Sequence, residues 1–335
     1  MQNRIPVFVT TVLIYLSFVS VHGHALRSVE AARSGIANRQ NTNSDTSKRA
    51  FPDTQADGLD VVQDGDYTLE ILVFGPEIET RTAYASLIAV LVELANRGTP
   101  TAPLISQRWH TEYGPWVDFT VASRAFQHNL AFKSMFYIGR RMLTHAIHDS
   151  RITVKLRSEV LGVFTIAQAN PDRWPPITLD ETAIAPPPTS LAFTRNETSW
   201  EVGLGAQIFN IELEYDWTPI LDISCMDNIL AAMIKLAYMA LDAPLVNEFV
   251  YCEFITGYKI SFSPEASSVP FLHRHILIAL SLTARKIFDD GAWKEWSEVA
   301  KLNGVGIGKG RIGKLDPHEE RLCHPGSAIT DIVVN

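Results

Sequence analysis

The chain has 335 residues, 46% of them hydrophobic, and a formal net charge of −8. That balance excludes a chain too polar to fold, and it argues against nucleic acid as a partner, since phosphate binding draws on a surplus of Lys and Arg. Its three cysteines, Cys225, Cys252 and Cys323, are too few for a disulfide-built scaffold, so the core must come from hydrophobic burial.

The N-terminus carries one positive charge, and residues from Ile5 to Val21 are almost wholly apolar or hydroxylic. This is the layout of a secretory signal peptide over residues 1–25, with cleavage expected after Ala25; an uncleaved anchor is the alternative. Residues 26–49 are rich in Ser, Asn, Arg, Ala and Thr and lack large apolar side chains, which is the composition of a disordered pro-segment. It ends at the dibasic pair Lys48-Arg49, a candidate processing site. Removing residues 1–49 takes away six Lys/Arg and two Asp/Glu and leaves a net charge of −12. An acidic lead-in, 50–66, follows. No later segment is long and apolar enough to hold the mature chain in a membrane: Ile229–Leu241 and Ile276–Leu282 suit buried helices.

From residue 67 the pattern becomes that of a folded domain. The stretch Leu69–Phe74 is a predicted strand, and Thr80–Arg97 a predicted amphipathic helix with Tyr84, Leu87, Ile88, Leu91 and Leu94 at helical spacing. Gly98 stands where a left-handed cap is wanted. A predicted hairpin turns at Gly114, a second helix covers Leu130–Asp149, and Ile152–Ile166 closes the unit. Much of this recurs 141 residues later. PLISQRWHTEYGPWVDFTV from Pro103 matches PLVNEFVYCEFITGYKISF from Pro244 in pattern, and Leu130–Asp149 aligns without a gap to Phe271–Asp290. The first helix of the second copy is placed at Met226–Leu241, and its closing element at Val305–Ile312. Each copy thus reads β-α-β-β-α-β. The expected fold class is α+β: two tandem ferredoxin-like sandwich repeats, 67–169 and 199–316, that can pack as a pseudo-dimer. A Pro-rich linker, 170–198, joins them and carries the sequon Asn196-Glu197-Thr198, an expected glycosylation site in an exported chain. Residues 317–335 read as a tail.

The chemistry-bearing residues are sparse. Lys133, Arg140, Arg141, Thr144 and His148 fall within about a quarter turn on the second helix, a basic stripe and a candidate anion-binding surface. His145 and His148, spaced i and i+3, form a candidate metal pair with no third ligand, and solvated charge explains the stripe equally well. His273 and His275 fall on opposite helix faces and cannot act together. Gly308–Gly313 matches GxGxxG, but the expected strand and the nearby chain end leave no room for a dinucleotide-binding unit. Cys225 and Cys252, on adjacent elements, are a candidate disulfide. Trp109 with Trp116 and Trp293 with Trp296 raise carbohydrate stacking, although core packing explains most tryptophans. No catalytic motif, cofactor site or metal site is assigned. The leading expectation is a secreted, non-enzymatic interaction protein, an effector-like or toxin-like factor of a microbial eukaryote such as a fungus, with a protein or carbohydrate target. The alternative is an extracellular enzyme or lectin that acts on cell-wall polysaccharide through a cleft between the repeats.

Overall fold

The computed structural model describes residues 60–168, 193–195, 200–204, 207–253 and 256–315. The first half runs β1 (Asp60–Asp64), β2 (Tyr67–Ile78), α1 (Thr80–Arg97), β3 (Gln107–His110), β4 (Trp116–Val121), α2 (His128–Met142), β5 (Ile147–Leu156) and β6 (Glu159–Ala167). The second half opens with β7 (Phe193–Arg195), β8 (Trp200–Leu204) and β9 (Gln207–Pro219). It continues with α3 (Asp222–Ala237), β10 (Phe249–Glu253), β11 (Tyr258–Pro264), α4 (His273–Asp290), β12 (Lys294–Leu302) and β13 (Val305–Lys314).

The sheets have the orders β1-β2-β5-β6-β4-β3 and β7-β8-β9-β12-β13-β11-β10. Apart from the extra edge strand β7, these are the same order strand for strand, so the tandem repeat is present in the topology. The strand order differs from the expected ferredoxin-like sandwich. A split β-α-β unit places a single strand between two parallel neighbours. Here every recorded pairing is antiparallel, and the closing element enters the sheet as a complete hairpin, β5-β6 or β12-β13. Each copy also begins with a strand that its polar or short sequence hides, β1 within the acidic lead-in and β8 after the linker.

Hydrogen bonds fix the equivalence between the copies. The backbone N–H of His128 donates to Ala102 and that of His273 to Ala243; Asn129 donates to Pro100 and Arg274 to Leu241. The hairpins therefore lie 141 residues apart but the second helices 145. The ungapped match of Leu130–Asp149 to Phe271–Asp290 is out of register by one helical turn, because the periodicity of a helix hides a four-residue shift. Gly162 and Gly308 hold the same place in both copies, and a Cβ on either would strike the ring of Phe126 or Phe271. Gly98 is extended (φ −163°), and the left-handed cap is Gly291 at the end of α4.

The four helices form a layer between the sheets. α1 packs on α3, and the contacts α1–α4 and α2–α3 are reciprocal, as in an isologous pair. Residues from both halves belong to one hydrophobic cluster, and α3 is buried almost all round from Cys225 to Ala237. Gly139 lets α2 approach α3: a Cβ there would lie 2.7 Å from Leu230.

Charge pairing crosses the same seam twice. Arg140 of α2 reaches Asp227 of α3 (Nη1 to Oδ2, 2.8 Å) and Glu253 of β10. Its counterpart Arg285 reaches Glu112 at 2.7 Å. Around Arg140, the Tyr251 hydroxyl donates to Glu253 at 2.8 Å, and the Tyr84 hydroxyl donates to the Gly139 carbonyl at 2.6 Å. The two crossings differ in depth, since the Asp227 side chain is 2% exposed and that of Glu112 46%. Removing one partner of a buried pair strands the other charge, whereas a half-exposed pair contributes little. Arg140→Ala is expected to cost about 3–5 kcal/mol and Arg285→Ala about 1 kcal/mol or less. Urea denaturation of the two variants checks this, and equal losses would contradict the depth argument.

Candidate functional site

The residues singled out in the sequence fall into three groups. Ala25, Lys48, Arg49 and Asn196 lie outside the described residues. Lys133, Arg140 and Arg141 stand on α2, and each meets a carboxylate of the chain itself. Lys133 Nζ lies 2.6 Å from Asp64 and 4.8 Å from the centre of the Tyr67 ring; Arg141 pairs with Asp60; Arg140 lies in the seam. The stripe thereby pins β1. Burial acts to raise the Asp64 carboxyl, but hydrogen bonds from Lys133 and Tyr137 outweigh it and hold the pKa below its ordinary value. His148 is not part of the stripe. The helix ends at Met142, so His148 lies on β5 opposite Glu77, and His145 sits in the intervening turn with Nδ1 2.8 Å from Thr144 Oγ1. Among the described residues, no group of three His, Cys, Asp or Glu side chains is placed to hold a metal ion.

The expected Cys225–Cys252 bond is not formed. Cys225 is a free thiol buried in α3, and burial pushes its pKa up to about 12, whereas Cys252 is disulfide-bonded. Strand alternation explains the mismatch. Phe249 and Tyr251 of β10 enter the core, so Cys252 faces the side of the sheet away from α3. Gly308–Gly313 lies within β13, as the sequence pattern implied. Trp109 and Trp296 are core residues, 7% and 1% exposed, and Trp296 stands on β12. Among the described residues, the exposed indole is Trp217, at 90%.

A constellation missed by sequence reading lies on the outer faces of the sheets. Asp149 and Glu295 occupy equivalent positions at the start of the closing hairpins, and each accepts a backbone N–H, from Gln168 at 2.8 Å and Lys314 at 2.9 Å. Two residues on, Arg151 is in register with Thr165, and Ser297 with Arg311. Both copies thus keep an acid, an arginine and a hydroxyl on one face, with arginine and hydroxyl exchanged between neighbouring strands. The alternation of β12 and β13 turns Trp296 and Ile312 into the core and these polar groups outward. In the first copy Asp149 is 1% exposed, and the Arg151 guanidinium lies 5.7 Å from the centre of the Phe74 ring. In the second, Asp216 takes the place of Phe74, and Asp216, Glu295, Ser297 and Arg311 line a cleft of about 270 Å³.

Directly behind this cleft the core of the second copy is altered. Ile138, Ile152 and Phe164 are buried in the first copy, and their counterparts are Thr283, Glu298 and Gly310. The Thr283 hydroxyl donates to Glu298 Oε2, and a Cβ on Gly310 would lie 2.8 Å from Oε1. Oε1 is buried with no hydrogen-bond partner among the described residues. Burial pushes the Glu298 carboxyl up to about 8, against the lowering effect of Thr283.

No known protein family, no curated protein and no solved structure matches the chain. The internal duplication therefore supplies the comparison, with each copy the reference for the other.

Two outcomes follow from these buried groups. The folded chain holds the Glu298 proton more tightly than the unfolded one. Stability should fall as pH rises from about 4.5 to about 8, by on the order of a few kcal/mol, and level off above. Glu298→Gln is expected to lose that dependence, so its advantage over the wild type should grow across this window in urea titrations; parallel curves would show that Glu298 is not protonated in the fold. For the thiol, iodoacetamide without reductant should leave Cys225 unlabelled in the native protein and label it in denaturant. Mass spectrometry of the peptides reads both results.

Proposed function

We propose that the protein is a secreted, non-enzymatic interaction protein, an effector-like or toxin-like factor of a microbial eukaryote such as a fungus. The observation that carries this reading is the layer order. The helices are spent on joining the two copies, and the polar groups at the seam are engaged with one another, so the outer face of the second sheet is left as a broad open surface. On the second sheet that face carries Glu212, Glu214, Asp216, Ser297, Lys309 and Arg311, all exposed. Such a platform suits recognition. An enzyme working between the repeats needs an open cleft there, and the approach of Gly139 to Leu230 with the buried Arg140 network favours the platform reading over that alternative.

The export signal and the dibasic pair Lys48-Arg49 support the extracellular part of the proposal. Among the described residues, no helix is long and apolar enough to cross a membrane. The acidic mature chain fits a protein or carbohydrate target better than nucleic acid. Deleting the gene should reduce growth inside a host and leave growth in culture unchanged. Equal fitness of mutant and parent in both settings would overturn the effector reading.

A further inference from the structure

We propose that the cleft on the outer face of the second sheet is a binding site for a neutral saccharide, with room for one sugar ring; this rests on the interaction-protein reading and specifies its partner.

The argument begins with charge. Asp216 and Glu295 supply two carboxylates and Arg311 one guanidinium, with the Ser297 hydroxyl between them. An anionic ligand would meet both carboxylates, and a cationic one the guanidinium. A ligand rich in hydroxyls meets neither conflict, because each hydroxyl both donates and accepts. The groups are also partly committed in a way that aims what is left. Glu295 Oε1 accepts the Lys314 N–H and Asp216 Oδ1 the Trp217 N–H, at 2.9 and 2.6 Å. That leaves one oxygen of each carboxylate for a ligand. Glu295 Oε2 and Arg311 Nε each lie 3.5 Å from where a Cβ on Gly313 would stand. An acceptor and a donor are thus brought together over bare backbone.

Two further observations point the same way. The first copy keeps the acid, the arginine and the hydroxyl but sets the Phe74 ring against the arginine, whereas in the second copy Asp216 holds that position and lines the cleft. Next to Asp216, on an irregular stretch of β9, stands Trp217, 90% exposed, with Lys294 Nζ 5.6 Å from the ring centre. The indole does not line the cleft, so the apolar face it offers is available to the part of a saccharide chain that extends beyond the bound ring. The volume, about 270 Å³, is below the roughly 300–1,000 Å³ of sites for drug-sized ligands. A single ring is the expected occupant, with the rest of a chain lying along the sheet.

The test is calorimetric titration of the mature protein with neutral tetrasaccharides of glucose, N-acetylglucosamine and mannose. At least one should bind. Arg311→Ala and Asp216→Asn should each weaken it by about tenfold, as should Trp217→Ala, while Arg157→Ala in the exposed β5–β6 turn of the first copy should leave it unchanged. All four positions face solvent, and unchanged urea midpoints would confirm that the variants fold. Failure of all three sugars to bind, or binding indifferent to Arg311 and Asp216, would overturn the site. The two proposals fail separately. A null strain impaired in the host with no sugar bound sinks only the saccharide site, whereas a sugar bound and cleaved sinks only the non-enzymatic reading.

Discussion

The structure depends on one buried guanidinium. Arg140 leaves the first copy and ends among Asp227, Tyr251 and Glu253 of the second, where charge must be met by charge. Desolvation acts to raise the Asp227 carboxyl, and the nearby Arg140 only partly offsets it. Such a group carries more specificity than stability, because an apolar seam of equal volume would often hold as well. What the pair adds is register. The α2–α3 contact admits one docking in which Gly139 lies over Leu230 and Arg140 reaches both acids. Arg285 and Glu112 repeat the arrangement on the other side of the pseudo-twofold with less burial. A single core shared by both copies follows from this docking, and so does the outward display of the second sheet.

Helix spacing made α1 legible to the residue, at Thr80–Arg97, because a wide apolar stripe bounded by polar ends has a single reading. It failed at α2, where Leu143–His148 continues the pattern although the chain has already turned into β5. A three- or four-residue period survives a turn that contains no Gly or Pro. The same blindness shifted the second helices by one turn. Strand β1 was missed because five mostly polar residues, Asp60–Asp64, carry no apolar alternation. They are held by cations of α2 that looked in sequence like a surface for a ligand. Arg140, Lys133 and Arg141 were singled out as a group for their shared helix face. Their partners could not be, since an acid 87 or 113 residues away gives no local signal.

The outer cleft was equally hidden, for a different reason. Its acid, arginine and hydroxyl arrive from three strands, and only sheet register brings them together. A signal did exist in the duplication. Once the copies are matched at the correct offset, Asp149 falls on Glu295, and the Arg151–Thr165 pair falls on Ser297–Arg311 with the residue types reversed. Two residues that exchange places while their pairing persists are constrained as a pair, and no single strand displays that.

The asymmetry between the copies also joins the cleft to the weakness behind it. Ser297 and Arg311 face outward, and their chain neighbours Glu298 and Gly310 face inward, so both changes sit on the same two strands. In the first copy the inner positions hold Ile152 and Phe164, and on the outer face the Phe74 ring is set against the arginine. In the second, a carboxyl with one unpartnered oxygen replaces packed hydrocarbon, at a cost that an isosteric apolar core would avoid. Departures from a well-filled core gather where a structure serves something other than its own stability. Here the departure lies one residue behind the cleft, in the copy that opens it.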